Sequence, residues 1–163
     1  MGALYLAVPG AGSGNASTVS TGTTLKTLLQ VATPSTTRIC VHAWGISFDG
    51  VTSTSTPILT VLADTDVAAS VTTLTPDKWE GTQEQASLCV GGASATGSNA
   101  SAEGTITNAK LLDTQLVHPQ AGYSIWYPER DRPFIEASRF LRVRVTAGTS
   151  VNALPWILYG EPV

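Results

Sequence analysis

FLRVRVTAGTSVNALPWILYGE, residues 140–161, decides the fold. In its first third Leu141, Val143 and Val145 alternate with Phe140, Arg142, Arg144 and Thr146. That period of two is the pattern of a half-buried strand, here with a cationic outer face. Gly148-Thr-Ser then turns the chain, and residues 154–159 (LPWILY) are apolar at every position. A strand apolar on both faces is either central to the fold or covered by a partner.

Upstream, the same kind of segment recurs. Residues 38–48 place Ile39, Val41, Ala43 and Gly45 against Cys40, His42, Trp44 and Ile46, and Asp49-Gly50 closes the run with a strong turn pair. Further extended runs are expected at 25–32, 57–62, 69–74, 85–90, 104–112 and 122–127, separated by Gly, Pro, Asp and Ser turn signals. The stretch 91–103 (GGASATGSNASAE) has little to bury and reads as an exposed loop. Helical periodicity is nearly absent. The expected fold class is therefore all-β, a single jelly-roll-like β-sandwich, because two packed sheets close this many strands while limiting exposed edges. An immunoglobulin-like sandwich fits less well, since Trp44 stands beside Cys40 and no Cys…Trp…Cys arrangement exists.

Composition agrees. A chain of 163 residues suits one domain with a real core, and the 13% charged share is about half the usual value. Thr, Ser and Gly fill the remainder and suit strands and turns better than helices. Residues 9–24 (PGAGSGNASTVSTGTT) read as a flexible leader, so the division is an extended N-terminal arm over 1–24 and a sandwich over 25–163. Tyr5 and Leu6 would be the arm's apolar anchor. No basic segment precedes residues 3–8, and no apolar run approaches 18 residues, so neither a signal peptide nor a membrane span is expected.

Charge is unevenly placed. Residues 1–128 hold eight acids against four bases, and residues 129–144 hold three acids against five bases. This basic segment is too small for a nucleic-acid footprint. Cys40 and Cys89 lack CxxC or zinc spacing; Cys40, in the apolar run 39–44, is expected as a buried free thiol, with a Cys40–Cys89 bridge the alternative. His42 and His118 stand without neighbouring ligands, no GxSxG elbow is present, and Gly10-Ala-Gly-Ser-Gly lacks the Lys-Ser/Thr of a phosphate loop. Asp64, Asp66, Glu80 and Glu84 could be assembled into a carboxylate pair, and Asp64-Thr-Asp66 into part of a calcium site, but nothing fixes their geometry. The expectation is a non-enzyme without catalytic residues, cofactor or metal.

The segment 123–144 (YSIWYPERDRPFIEASRFLR) is the strongest candidate for function, because Arg and aromatic residues are the common anchors of protein interfaces. Trp126, Tyr127, Arg130, Arg132, Arg142 and Arg144 are its expected contact residues, together with Tyr5 and Leu6. Trp79, Trp126 and Tyr127 would also suit a sugar-binding platform, the alternative for a phage-tail or secreted module.

With a Gly/Ser/Thr-rich leader and the closing segment 140–161, which suggests a hairpin, the chain resembles the head decoration (cement) proteins of tailed bacteriophages. That resemblance implies a structural virion protein on the capsid exterior, made in the bacterial cytoplasm, a homo-oligomer with a trimer favoured. Its partner would be the major capsid protein, with no nucleic acid or membrane involved.

Overall fold

Two antiparallel sheets face each other across one hydrophobic core in the computed structural model, which describes residues 2–51, 56–81 and 85–162. In chain order the strands are β1 (Ala3–Ala7), β2 (Val19–Ser20), β3 (Lys26–Ala32), β4 (Ile39–Phe48), β5 (Ile58–Thr65), β6 (Ser70–Thr73) and β7 (Asp77–Lys78). Then come β8 (Gly97–Ala102), β9 (Ala109–Val117), β10 (Gly122–Trp126), β11 (Phe134–Ile135), β12 (Phe140–Thr146) and β13 (Asn152–Glu161). Sheet I runs β10-β4-β13-β1-β7, with β11 added to β4 and β2 to β13. Sheet II runs β6-β8-β3-β12-β5-β9. The all-β sandwich expected from the strand pattern is what forms.

The core comes from one face of each sheet. Leu141, Val143 and Val145 of β12 meet Ile157 and Tyr159 of β13, Trp44 and Ile46 of β4, and Tyr5 of β1, all essentially buried. Burying such side chains stabilises by about 1.5–3 kcal/mol each. The alternation in β4 is broken by a bulge. Leu158 pairs with Ala43 and Tyr159 with Val41, which leaves His42 as the extra residue. One inserted residue exchanges the faces, so Val41 on one side of the bulge and Trp44 on the other both point inward.

Several sequence expectations are corrected. Residues 140–161 do not form a hairpin: β12 lies in sheet II and β13 in sheet I, so the turn at Gly148 crosses the sandwich. The described part of the expected arm, residues 2–24, does not stand outside the domain. β1 pairs with β13 on one side and β7 on the other, from Ala3↔Glu161 to Ala7↔Ile157, and β2 extends the same sheet. ALYLA has apolar side chains for both faces, which suits an inner strand better than a solvated tether. The expected loop over 91–103 contains β8, held between β3 and β6. Its small residues are an asset there: a Cβ on Gly97 would stand 2.3 Å from the Thr72 carbonyl oxygen. The run expected at 104–112 forms at Ala109–Val117 instead, and 85–90 holds no strand.

That last segment is fastened by polar contacts. The Glu161 carboxylate, buried at the end of β13, accepts from the backbone N–H of Leu88 at 2.9 Å and from Ser87 Oγ at 2.5 Å. Ser87 Oγ also meets Tyr159 Oη at 2.7 Å. Cys89, buried beside them, is a free thiol whose pKa burial drives well above its ordinary value. Cys40 is also free but only half-buried, not buried as its apolar run suggests, because its position on β4 faces outward opposite Gly160. No helix among the described residues is long and apolar enough to cross a membrane.

Candidate functional site: a tryptophan face on sheet I

Strand β13 sends Ala153, Ile157 and Tyr159 into the core, so Leu154, Trp156 and Leu158 face the other way. Register extends that outer face across the sheet. Trp156 lies opposite Gly45 and Leu158 opposite Ala43 of β4, Trp126 of β10 lies beyond Ala43, and Leu6 of β1 lies opposite Leu158. Trp79 follows β7, its backbone N–H donating to the Leu4 carbonyl at 2.8 Å, which brings the indole to the same face.

Leu6, Val8, Ala16, Trp79, Trp126, Trp156 and Leu158 together line an open depression of about 400 Å³. No charged or hydrogen-bonding group other than the indole N–H appears among these side chains. Trp79 and Trp126 are 51% and 61% exposed, a high value for the largest apolar side chain. Trp126 and Trp156 form a tilted pair with ring centroids 6.0 Å apart.

Gly45 sets this geometry. A Cβ there would stand 2.7 Å from Trp156 Cε2 and Nε1, so the missing side chain lets the indole lie against the sheet. Gly45→Ala is expected to tilt Trp156 outward at a stability cost of about 1 kcal/mol or less, since the indole borders solvent and can move. A shift of the Trp156 indole N–H resonance with a nearly unchanged melting temperature would report it; an unshifted resonance would contradict the packing described.

The expected contact residues divide. Leu6 and Trp126 stand on this face. Tyr5 does not: it is fully buried, stacks on Tyr159 with centroids 6.0 Å apart, and donates from Oη to the Gln85 carbonyl at 3.2 Å. Tyr127 is half-buried and packs against the core. Desolvation raises its phenol pKa, and the Asp113 charge adds to this. The Asp113 carboxylate accepts from Trp44 Nε1 at 3.2 Å and Tyr123 Oη at 2.7 Å, and Tyr123 is pushed up to about 12, first by desolvation and then by this bond.

The cationic face of β12 is likewise not free. Arg142 is completely buried, with Nη1 donating to the Glu103 carbonyl at 3.1 Å, Nη2 donating to the Val67 carbonyl, and Glu103 Oε1 3.8 Å from Nη1. Arg144 Nε lies 3.1 Å from the same Glu103 oxygen. Glu103 also accepts from Thr27 N and Oγ1, at 2.9 and 2.7 Å. The chain around Val67 and Glu103 therefore covers Arg142, while Arg144 is held by Glu103 and stays half-buried. Arg130 and Arg132 lie in and just after a 3-10 turn (Glu129–Asp131), Arg130 exposed and Arg132 half-buried.

The carboxylates considered for catalysis or calcium are tied into the fold. Asp64 is buried and held by Arg139 Nε at 2.8 Å. Asp66 accepts from Thr107 and Asn108, and these hydrogen bonds lower its pKa. Glu80 is exposed, and Glu84 lies outside the described residues. His118 Nδ1 accepts from the Gln120 N–H at 3.1 Å in a loop. Among the described residues no three His, Cys, Asp or Glu side chains converge on a point where a metal could sit.

Trp156, Leu158 and Val8 were missed as contact residues. The signal was present in the alternation of Leu154, Trp156 and Leu158 against Pro155, Ile157 and Tyr159. Comparison with protein-family models, curated proteins and solved structures finds no match.

Proposed function

We propose that the chain is a structural subunit that docks onto other protein through the tryptophan face of sheet I, in the manner of a capsid decoration protein. The observation that carries this reading is the make-up of that face: three indoles and aliphatic side chains, with charged groups only at its margin. Interface centres are rich in Trp and poor in charge, and Arg gathers in and around them. A sugar platform needs polar side chains beside the aromatic rings to bind hydroxyl groups, and the lining here offers none. In a decoration role the chemistry is mass action: contacts made only with the assembled shell stabilise that shell against disassembly.

The free edge of sheet II supports self-association. β9 is nine residues long, contains no proline, and carries exposed Leu111 (67%) and Leu116 (71%). The other edge of sheet II, β6, has four residues, and the edges of sheet I, β7 and β10, have two and five. Lys110 and the register shift opposite Leu62 and Ala63 blunt one end of the β9 edge, but its length leaves unpaired backbone groups beside Leu111 and Leu116 for another strand to meet. The purified chain is accordingly expected to sediment as an oligomer, a trimer in the decoration reading, and Leu111→Lys with Leu116→Lys to sediment as a monomer. A monomeric parent at micromolar concentration would remove the edge contact.

The functional test is quantitative mass spectrometry across density-gradient fractions of the native source. Many copies co-sedimenting with assembled particles are expected. Absence from particles, together with glycan binding that Trp126→Ala abolishes, would replace this reading with the sugar-binding one.

A further inference from the structure

Beside the tryptophan face lies a second, chemically different groove. It has a volume of about 290 Å³ and is lined by Arg38, Cys40, His42, Glu129, Arg132 and Phe134, with Ile39, Gly160 and the backbone ends of β1 and β13. The two sites share strands: Cys40 lies opposite Gly160, two residues beyond Leu158 on the same outer face. At about 3.4 Å per residue, Trp156 and Gly160 are roughly 14 Å apart along β13.

The charges of the groove are unspent. Arg139 is paired with Asp64, and Arg142 and Arg144 with Glu103, whereas Arg38 and Arg132 form no ion pair with a described carboxylate. Both guanidinium groups are nevertheless held in place. Arg38 Cζ sits 4.3 Å above the Phe134 ring, and Arg132 Nε donates to the Tyr127 carbonyl at 3.4 Å. Phe134 is itself fixed by pairing with Cys40 on β4. Of the two acids in the lining, Glu161 directs its carboxylate inward to Ser87 and Leu88, which leaves Glu129 against two arginines.

We propose that this groove receives a carboxylate side chain of the docked protein, clamped between Arg38 and Arg132, while the same partner segment sets an apolar side chain on the tryptophan face. Guanidinium forks fixed in advance bind carboxylates in two-point fashion and lose little freedom in doing so. The partner segment is thereby defined: extended, with an acid about four residues from its apolar anchor. Charge complementarity orients it along β13, since reversal would place the acid on the indoles.

His42, at the groove wall, supplies a reporter. Its pKa lies below the ordinary value, chiefly through burial and secondarily through the Arg132 charge, while Glu129 acts in the opposite direction. A carboxylate bound nearby favours the imidazolium and raises that pKa.

The test uses the purified full chain and N-acetyl-glutamate as probe, followed by NMR of the His42 ring and the arginine Nε–H groups. Saturable shifts of Arg38 and Arg132 in the millimolar range are expected, with the His42 midpoint rising by about half a pH unit or more. N-acetyl-glutamine should produce neither effect. Arg38→Gln with Arg132→Gln should weaken binding at least tenfold, and Arg130→Gln, outside the groove, should not change it. Shifts reproduced by chloride at equal ionic strength, or surviving in the double variant, would overturn the proposal. The partner's identity rests on the docking reading. The probe experiment needs no partner, so loss of docking alone would leave the carboxylate site standing.

Discussion

A chain lacking residues 1–8 is expected not to fold cooperatively. β1 fills the interior of sheet I, paired along its length with β13 and at Tyr5 and Leu6 with β7. Its removal strips five register pairs from β13 and leaves β7 without a partner strand. It also takes Tyr5 and Ala7, both fully buried, out of the core. Truncating one buried aromatic residue costs about 3–5 kcal/mol, and a domain of this kind has only about 5–15 kcal/mol in total. Thermal denaturation followed by near-ultraviolet circular dichroism should show no sigmoidal transition for the truncated chain. Tyr5→Ala should retain one, at a much lower midpoint. A truncated chain melting within about 3 °C of the full one would return β1 to the status of an arm.

Glu103→Ala is expected to cost about 2–3 kcal/mol, because it takes from a buried guanidinium its nearest counter-charge and from Thr27 its hydrogen-bond acceptor. Arg142 has no access to water, and Glu103 is the carboxylate that reaches it, as well as Arg144 and Thr27. Desolvation already disfavours the charged form of Arg142; Glu103 opposes that effect most, and Asp66 adds a smaller share against the repulsion of Arg144. Urea denaturation of Glu103→Ala, Arg142→Met and the double variant would measure the coupling. The double variant should lose less than the sum of the singles, since removing both partners strands neither. A loss below about 1 kcal/mol for Glu103→Ala would mean that the bridge contributes little. By the same reasoning Arg142→Glu is a folding defect, because it sets a second carboxylate against Glu103.

Much of the scaffold was legible in the sequence because its strands carry short-range signals. The alternation in β12 and the doubly apolar β13 located the two strands that meet across the core, and Asp49-Gly50 marked the end of β4. What stayed hidden depends on distant partners. The bulge at His42 reverses the faces of β4 and is visible only against β13. The GSNASA strand has little apolar character of its own and exists because β3 and β6 hold it on both sides. Arg142 reads as outward-facing, correctly for its strand, but the chain around Val67 and Glu103 folds over it from elsewhere in the sequence. The site was half legible for the same reason. Trp126 and Leu6 stood out as contact residues and Trp79 as a platform aromatic, whereas Trp156 and Gly45 join them only through sheet register.

If the tryptophan face is the surface by which the chain holds its partner, charge placed on it abolishes docking. Trp79→Glu with Trp126→Glu places two carboxylates on that face without touching the core, since both indoles are more than half exposed. Binding of this variant and of the parent chain to assembled particles stripped of the protein, measured side by side with their melting temperatures, tests the claim most directly. An unchanged melting temperature and at least a hundredfold loss of binding, about 2.7 kcal/mol, are expected. Binding equal to that of the parent chain would contradict a docking role for this face.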